Sequence, residues 1–380
     1  MTYHHLLTKK TNILYPLIII FTFSITAVWS DEFSITKNST VIGQNYGDPF
    51  SVFKHGDTRI NSLDFIVETV FFAKNLELIG FKDSTGINGE TFIGSVLPMR
   101  FRYQPHRDVT LECGAVLGQN FGDKNSLDII EPLTRIVYTP KKDLFIIGGT
   151  ILPTHWIHDA LHDDIQIFRA NTEQGFQLRV DKDSFKQDTW INWRIREDKN
   201  QAEEFEVGST TQMRFLNNSL WIDGQLFWAH IGGQKNTSNQ VLNNRTLLGS
   251  VSYGMSVNTM LAPIKEVRMG ASYLQSYNEL HSPDNGHGIE LSIRCDTYPS
   301  DNMLIRIFGS HFKGSQYSSW RGDPLYQFNK YSQIGCTSLY THPSGMSLEA
   351  SVVGQYAENL FNYTFMLNLI WGKTFKLQTK

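Results

Sequence analysis

The stretch Asn362-Tyr-Thr-Phe-Met-Leu-Asn-Leu-Ile-Trp-Gly-Lys-Thr-Phe-Lys-Leu377 alternates in polarity along its whole length. Its odd positions are Tyr363, Phe365, Leu367, Leu369, Trp371, Phe375 and Leu377, with Lys373 as the exception. Its even positions are Thr364, Met366, Asn368, Ile370, Gly372, Thr374 and Lys376. A period of two is that of a strand, and the run far exceeds the ~5–6 residues of a strand in a soluble domain. One face is apolar with aromatic groups towards both ends, and the other is mixed and small. That is the face a strand needs to cross a bilayer, with its aromatic rings at the two interfaces. Lys373 fits this register only near an interface, where a long side chain can carry its charge out to water.

The end of the stretch, Gly372-Lys-Thr-Phe375-Lys-Leu377, resembles the C-terminal signal of bacterial outer-membrane β-barrels, a glycine followed by apolar residues in the order Gly-x-x-apolar-x-apolar. The chain departs from that signal in having Ile370 two before the glycine and in continuing past Leu377. The resemblance implies a final strand that the barrel-assembly machinery reads.

The N-terminus agrees with export. Lys9 and Lys10 precede an apolar run from Ile13 to Val28, broken by Pro16, and Val28-Trp29-Ser30 precedes Asp31. Residues 1–30 are therefore predicted to be a cleaved signal peptide, the other reading being a retained membrane anchor. Residues 31–66 are polar and rich in Gly and Asn, and read as an N-terminal extension. Residues 67–380 are expected to form the barrel. A net charge of -3 gives no basic footprint for nucleic acid. The cysteines Cys113, Cys295 and Cys336 are odd in number and show no Cys-x-x-Cys spacing, which argues against a disulfide scaffold and a zinc site.

From Val67 onward, strand-length runs are joined by connections that alternate between short and long. The short ones carry turn residues: Pro105–Asp108, Pro140–Asp143, Asp181–Ser184, Asn217–Ser219, Pro299–Asp301 and Pro343–Gly345. The long ones include Pro153–Glu173, Gly232–Asn244, Ser276–Gly286 and Lys313–Phe328. Tight periplasmic turns and larger outer loops produce this rhythm. A soluble sandwich shares the alternation but not the strand length. The predicted fold is all-β, a transmembrane antiparallel up-and-down barrel of about sixteen strands, within limits of fourteen to eighteen. It resembles an outer-membrane barrel of porin size, and so is expected in the bacterial outer membrane.

With apolar faces turned to lipid, the opposite faces line a lumen. That places Arg179, Arg194, Arg196, Arg214, Arg268 and Arg294 inside, together with Glu204 and Glu206. Charges of both signs are costly in hydrocarbon, so a wet interior accounts for them. The arginines of three successive runs, 174–181, 190–196 and 203–215, suggest a basic wall that steers solutes. Equally, they could pair with neighbouring carboxylates and only stiffen the barrel.

The most unusual loop is Pro153-Thr-His-Trp-Ile-His-Asp-Ala-Leu-His-Asp-Asp164. It is the third outer loop in this reading. The resemblance to general porins implies that it folds inward, with Asp159, Asp163 and Asp164 facing Arg194 and Arg196. If residues 155–164 are helical, His155, Asp159 and His162 share a face with His158 adjacent, and they are weak candidates for a divalent metal. Trp156 either stacks on a sugar or packs against the wall. The string His281-Ser-Pro-Asp-Asn-Gly286 superficially resembles that of the outer-membrane phospholipase, but adjacent His281 and Ser282 point oppositely and Pro283 interrupts the strand.

The sequence thus predicts a passive channel for small hydrophilic solutes, not an enzyme, needing no cofactor. It would act as a monomer or homotrimer within outer-membrane lipid. A surface-binding or adhesion barrel, and an outer-membrane hydrolase, are the alternatives.

Overall fold

The structure, a computed structural model, describes residues 60–78, 89–122, 129–152, 154–163, 172–233, 241–257, 264–279, 284–342, 344, 346–358 and 360–377. The expected signal peptide, Asp164 and the His281–Pro283 string lie outside these residues.

Along the first half of the chain the strands are β1 (Ser62–Leu78), β2 (Glu90–His106), β3 (Val109–Asn120), β4 (Ile129–Lys141), β5 (Leu144–Thr150), β6 (Gln174–Asp181), β7 (Phe185–Ile195) and β8 (Glu203–Phe215). There follow β9 (Leu220–Gly232), β10 (Leu242–Ser256), β11 (Ile264–Asn278), β12 (Asp284–Ser300), β13 (Met303–Ser315), β14 (Lys330–Thr341), β15 (Met346–Ala357) and β16 (Leu360–Leu377). Among the described residues a 3-10 turn, Pro324–Gln327, lies between β13 and β14. Each strand pairs antiparallel with its sequence neighbours, and β1 pairs with β16 to close the barrel. Closure removes every sheet edge, which a spanning sheet requires because lipid offers the backbone no partners.

The terminal stretch is the closing strand. Its register on β1 runs from Leu63 opposite Leu377 to Leu78 opposite Asn362. The even face turns inward and is satisfied there: Asn368 Nδ2 donates to Glu349 at 3.1 Å, and Asn362 Nδ2 donates to Gln355 at 2.6 Å. Lys373 is exposed on the outward face between Trp371 and Phe375, close to the end of β16. That location lets it snorkel. Phe375, Phe65 and Phe101 form an aromatic group at the same rim, with ring centroids 6.2 and 4.9 Å apart. The barrel begins at Ser62 rather than at the expected Val67, because β1 needs those residues to match the full length of β16.

Side chains sort by parity on every strand. Large apolar residues such as Ile130 (67% exposed), Phe176 (70%) and Ile334 (68%) face out, as lipid contact demands. Inside, buried charges are gathered on partners. Glu112 receives Arg102 at 2.7 Å, Arg135 at 3.2 Å and Arg100 at 3.4 Å. Asp296 is gripped by both arms of Arg306, at 2.7 and 2.9 Å.

The wall is uneven. β5 and β6 have 7 and 8 residues, whereas β1 and β2 have 17 each. Where β5 stops short, the chain continues as a segment that turns into the lumen.

Candidate functional site

Two connections meet inside the barrel. The first follows β5: Ile151, Leu152, Ile157, Ala160 and Leu161 are all buried. The second joins β13 to β14 and buries Tyr317, Leu325 and Tyr326. Together with Phe227, Leu248, Leu274 and Phe312 from the wall they make one apolar core. Backbone and side-chain bonds knit the two: Asp163 N–H donates to the Arg321 carbonyl at 2.7 Å and Asp323 N–H to that of Asp159 at 2.8 Å. The Tyr317 hydroxyl donates to the Ala160 carbonyl at 3.0 Å and that of Ser319 to Leu161 at 2.7 Å.

The first segment spans the lumen from wall to wall. His155 is fixed between Asp188 of β7, 2.9 Å from Nδ1, and Glu173, 2.8 Å from Nε2. Its ring stacks on Trp190 with centroids 3.5 Å apart. Trp156 lies under two cations, the Arg179 guanidinium at 4.1 Å and the Lys186 ammonium at 4.6 Å. His158 donates its backbone N–H to Gln225 of β9 at 2.7 Å and sets Nε2 3.2 Å from Glu290 of β12. Asp163 lies 3.9 Å from Lys74 of β1.

The histidines differ electrically. Burial disfavours the charged ring of His155, but Glu173 and Asp188 outweigh it and hold the pKa up at about 9. For His158 burial is likewise outweighed, by Glu290, and the pKa is raised. Burial prevails at His162, whose pKa is lowered and whose neutral ring meets Phe227 edge-on at 5.2 Å. Carboxylates at His155 and His158 and burial at His162 thus push in opposite directions along a single segment.

Several expectations are corrected. Residues 155–163 are extended and turned rather than helical, so His155, Asp159 and His162 share no helix face. Among the described residues no group of three ligand-type side chains could hold a metal ion. Of the segment's acids, Asp163 lies 3.9 Å from Lys74 of β1. Arg194 pairs with Glu206 at 2.9 Å and lies 3.6 Å from Glu204, while Arg196 lies beyond the end of β7. Arg321, which the sequence reading did not single out, joins the same glutamates at 2.6 Å from Glu206 and 3.7 Å from Glu204. The basic wall is dispersed in consequence. Arg179 serves Trp156, and Arg214 and Arg268 stack on Trp221 at 4.2 and 3.5 Å. Arg294 is 3.2 Å from Asp296. On the outer wall, the structure joins His311 to Ser332, residues 21 apart in sequence that no local pattern connects.

A closed barrel with an apolar outer band, aromatic rims and a charged interior is a protein of the bacterial outer membrane. The chain belongs to the lipid A 3'-O-deacylase-type family, whose model matches residues 56–376. This corrects the expectation of a chain that is not an enzyme, because the family is described by a hydrolytic activity. Among solved structures, a loop-deletion mutant of OmpT, an outer membrane protein of Vibrio cholerae, aligns at 9% identity and a TM-score of 0.49, over 81% of this chain and 99% of that one. The outer membrane protein OprD of Pseudomonas aeruginosa aligns at 10% identity and a TM-score of 0.46, over 86% and 98%. No curated protein matches the sequence.

Proposed function

We propose that this protein is an outer-membrane hydrolase that removes an ester-linked acyl chain from a lipid A-type glycolipid. The observation that carries this reading is the family match, which runs through residues 56–376 and so takes in nearly the whole barrel from β1 to β16. The crossed lumen agrees with it: two interlocked segments share one apolar core inside the barrel, an arrangement suited to a rigid platform for chemistry at the membrane. The test is expression in a Gram-negative host followed by mass spectrometry of its lipid A. A species lighter by one acyl chain is expected, and lipid A unchanged at high expression of folded protein would sink the reading.

A second reading, passive diffusion of small hydrophilic solutes, is favoured by the charge-lined interior, where Arg100, Arg294 and Arg306 stand beside Glu112 and Asp296. Stepwise conductance of the purified protein in a planar bilayer would support it, and silence across several salts would remove it.

A further inference from the structure

Midway up the outer wall the apolar band is interrupted. On β7, Lys186, Asp188 and Trp190 are buried inside, so Gln187 and Thr189 face lipid; on β8, Thr210 and Gln212 are buried inside, so Ser209 and Thr211 do. These four bond to one another. Gln187 Nε2 donates to Thr189 at 2.7 Å and to Ser209 at 3.1 Å, the Thr211 hydroxyl donates to Gln187 Oε1, and the Thr189 and Ser209 hydroxyls lie 3.0 Å apart. Paired Phe185 and Met213 continue the same columns towards the periplasm, and paired Ile191 and Val207 towards the outer rim. The cluster therefore lies within the hydrocarbon band and not at its edge. Thr189 and Ser209 carry one hydroxyl hydrogen each, and only one of these lies between them. The other has no acceptor within the cluster, and hydrocarbon offers none.

Beside the cluster the wall is hollowed. Thr211 is paired with Gly224 of β9, and Gly224 with Gly249 of β10. A Cβ on either glycine would meet nothing within 4 Å, so the barrel's own packing does not require them. Glycine weakens a strand and commonly marks the close approach of another surface. The two leave a groove of about 460 Å³ bordered by Thr211, Leu226, Leu247 and Tyr273. On the other side of the cluster stands Phe176 of β6, 70% exposed, more than any other large apolar side chain among the described residues.

This knob, the cluster and the hollow share one height. Rows of paired residues climb towards the outer rim with strand number: the row that starts at Gln187, near the periplasmic end of β7, reaches Lys313 near the outer end of β13. Phe176 lies three strands before Gly224, and four residues nearer the outer rim than Val180, which pairs with Gln187 in that row. For strands about 4.8 Å apart, rising about 3.4 Å per residue and tilted about 40°, these offsets cancel in height to within about 2 Å and set Phe176 about 20 Å round the wall from Gly224. By the same geometry Thr189 and Ser209 fall midway between them. A two-fold axis along the membrane normal, passing through that pair, brings Phe176 of each copy over the glycines of the other.

We propose that this face is the interface of a two-fold homodimer in the outer membrane. The Ser209 hydroxyl accepts from Gln187 and Thr189 of its own chain and donates to Thr189 of the second copy, whose oxygen retains a lone pair. Symmetry makes that contact twice, and Phe176 of each copy enters the Gly224–Gly249 hollow of the other. An isologous contact needs a self-complementary patch. Hydroxyls and an amide supply both donors and acceptors, and acyl chains supply neither. Small residues with side-chain hydroxyls likewise hold spanning helices together where lipid removes the hydrophobic drive.

The test uses the full-length chain, carrying one fluorophore on a terminal tag and reconstituted in phosphatidylethanolamine–phosphatidylglycerol vesicles. The dimer fraction is read by single-molecule photobleaching over a dilution series, and folding of each variant is checked by heat-modifiable gel mobility. Two bleaching steps are expected for the parent as its density in the membrane rises. Gly224→Leu with Gly249→Leu places side chains in open space, so the barrel should fold as before, and this variant is expected to raise the dimer Kd at least about 10-fold. Phe176→Ala and Ser209→Ala should each shift it in the same direction. Thr189→Cys, with Cys113, Cys295 and Cys336 replaced by serine, should form a disulfide between copies under mild oxidation. Single steps at every density would overturn the proposal, as would an unchanged Kd in the doubly filled variant. Dimers that never cross-link through Thr189→Cys would place the contact elsewhere on the wall and overturn it too. A lipid retained on a monomeric parent in native mass spectrometry, and lost from the filled variant, would assign the hollow to lipid instead.

Discussion

The His155 ring is held between two carboxylates, with Asp188 of β7 2.9 Å from Nδ1 and Glu173 2.8 Å from Nε2. Both nitrogens must therefore carry protons, and the imidazolium ties the inward segment to the barrel wall. Its pKa is raised to about 9 from an ordinary 6.5. A group whose folded pKa is raised contributes stability that is fully present below the unfolded value and is lost as pH rises through the folded one. The clamp is thus complete below about pH 6.5 and released through about 9. Because the ring stacks on Trp190, loss of its charge should change tryptophan emission across that window. His155→Phe should abolish the change, and a transition that persists in that variant would assign it to another group.

Removing Glu112 should be the most damaging single change in the charged interior. Its buried carboxylate faces Arg100, Arg102 and Arg135, so Glu112→Ala leaves three guanidinium groups with one fewer counter-charge. Breaking a buried pair from one side costs about 3–5 kcal/mol. Urea unfolding in lipid vesicles should show a loss of that order, and a loss under 1 kcal/mol would mean that water relieves the site.

The interlocked segments should limit conduction. Tyr317→Ala together with Ser319→Ala removes the hydrogen bonds to Ala160 and Leu161 that join them. Single-channel recordings should show larger or more frequent openings in this variant than in the parent. Equal conductance would mean that ions avoid this part of the lumen.

Deleting Phe375–Lys380 should impair assembly. The deletion removes the register pairs of Phe375, Lys376 and Leu377 with Phe65, Asp64 and Leu63, and breaks the aromatic group at that rim. Heat-modifiable folded protein should fall sharply in outer-membrane fractions, and undiminished insertion would assign this stretch another role.

Much of the fold was legible in the sequence because a spanning strand leaves a local mark. The odd positions of 362–377 had to be apolar wherever the partner strands lay, and the turn residues at 105–108, 140–143 and 299–301 fall where strands reverse. The candidate sites were less legible. Arg194 and Arg196 share a parity on paper, yet the strand ends at Ile195, so one pairs with Glu206 and the other leaves the wall. The histidines of 155–162 looked like possible ligands by spacing, but spacing alone does not show that the segment stays extended or that it reaches Asp188 and Glu290.

The sequence by itself determined that this chain is a membrane-spanning barrel with a closing C-terminal strand, because period-two polarity records which side of a strand meets lipid. Tertiary structure alone decided which charges pair, which loops cross the lumen, and that His311 meets Ser332. Those contacts join residues from different strands, and their distances are set by barrel closure and register rather than by any neighbour along the chain.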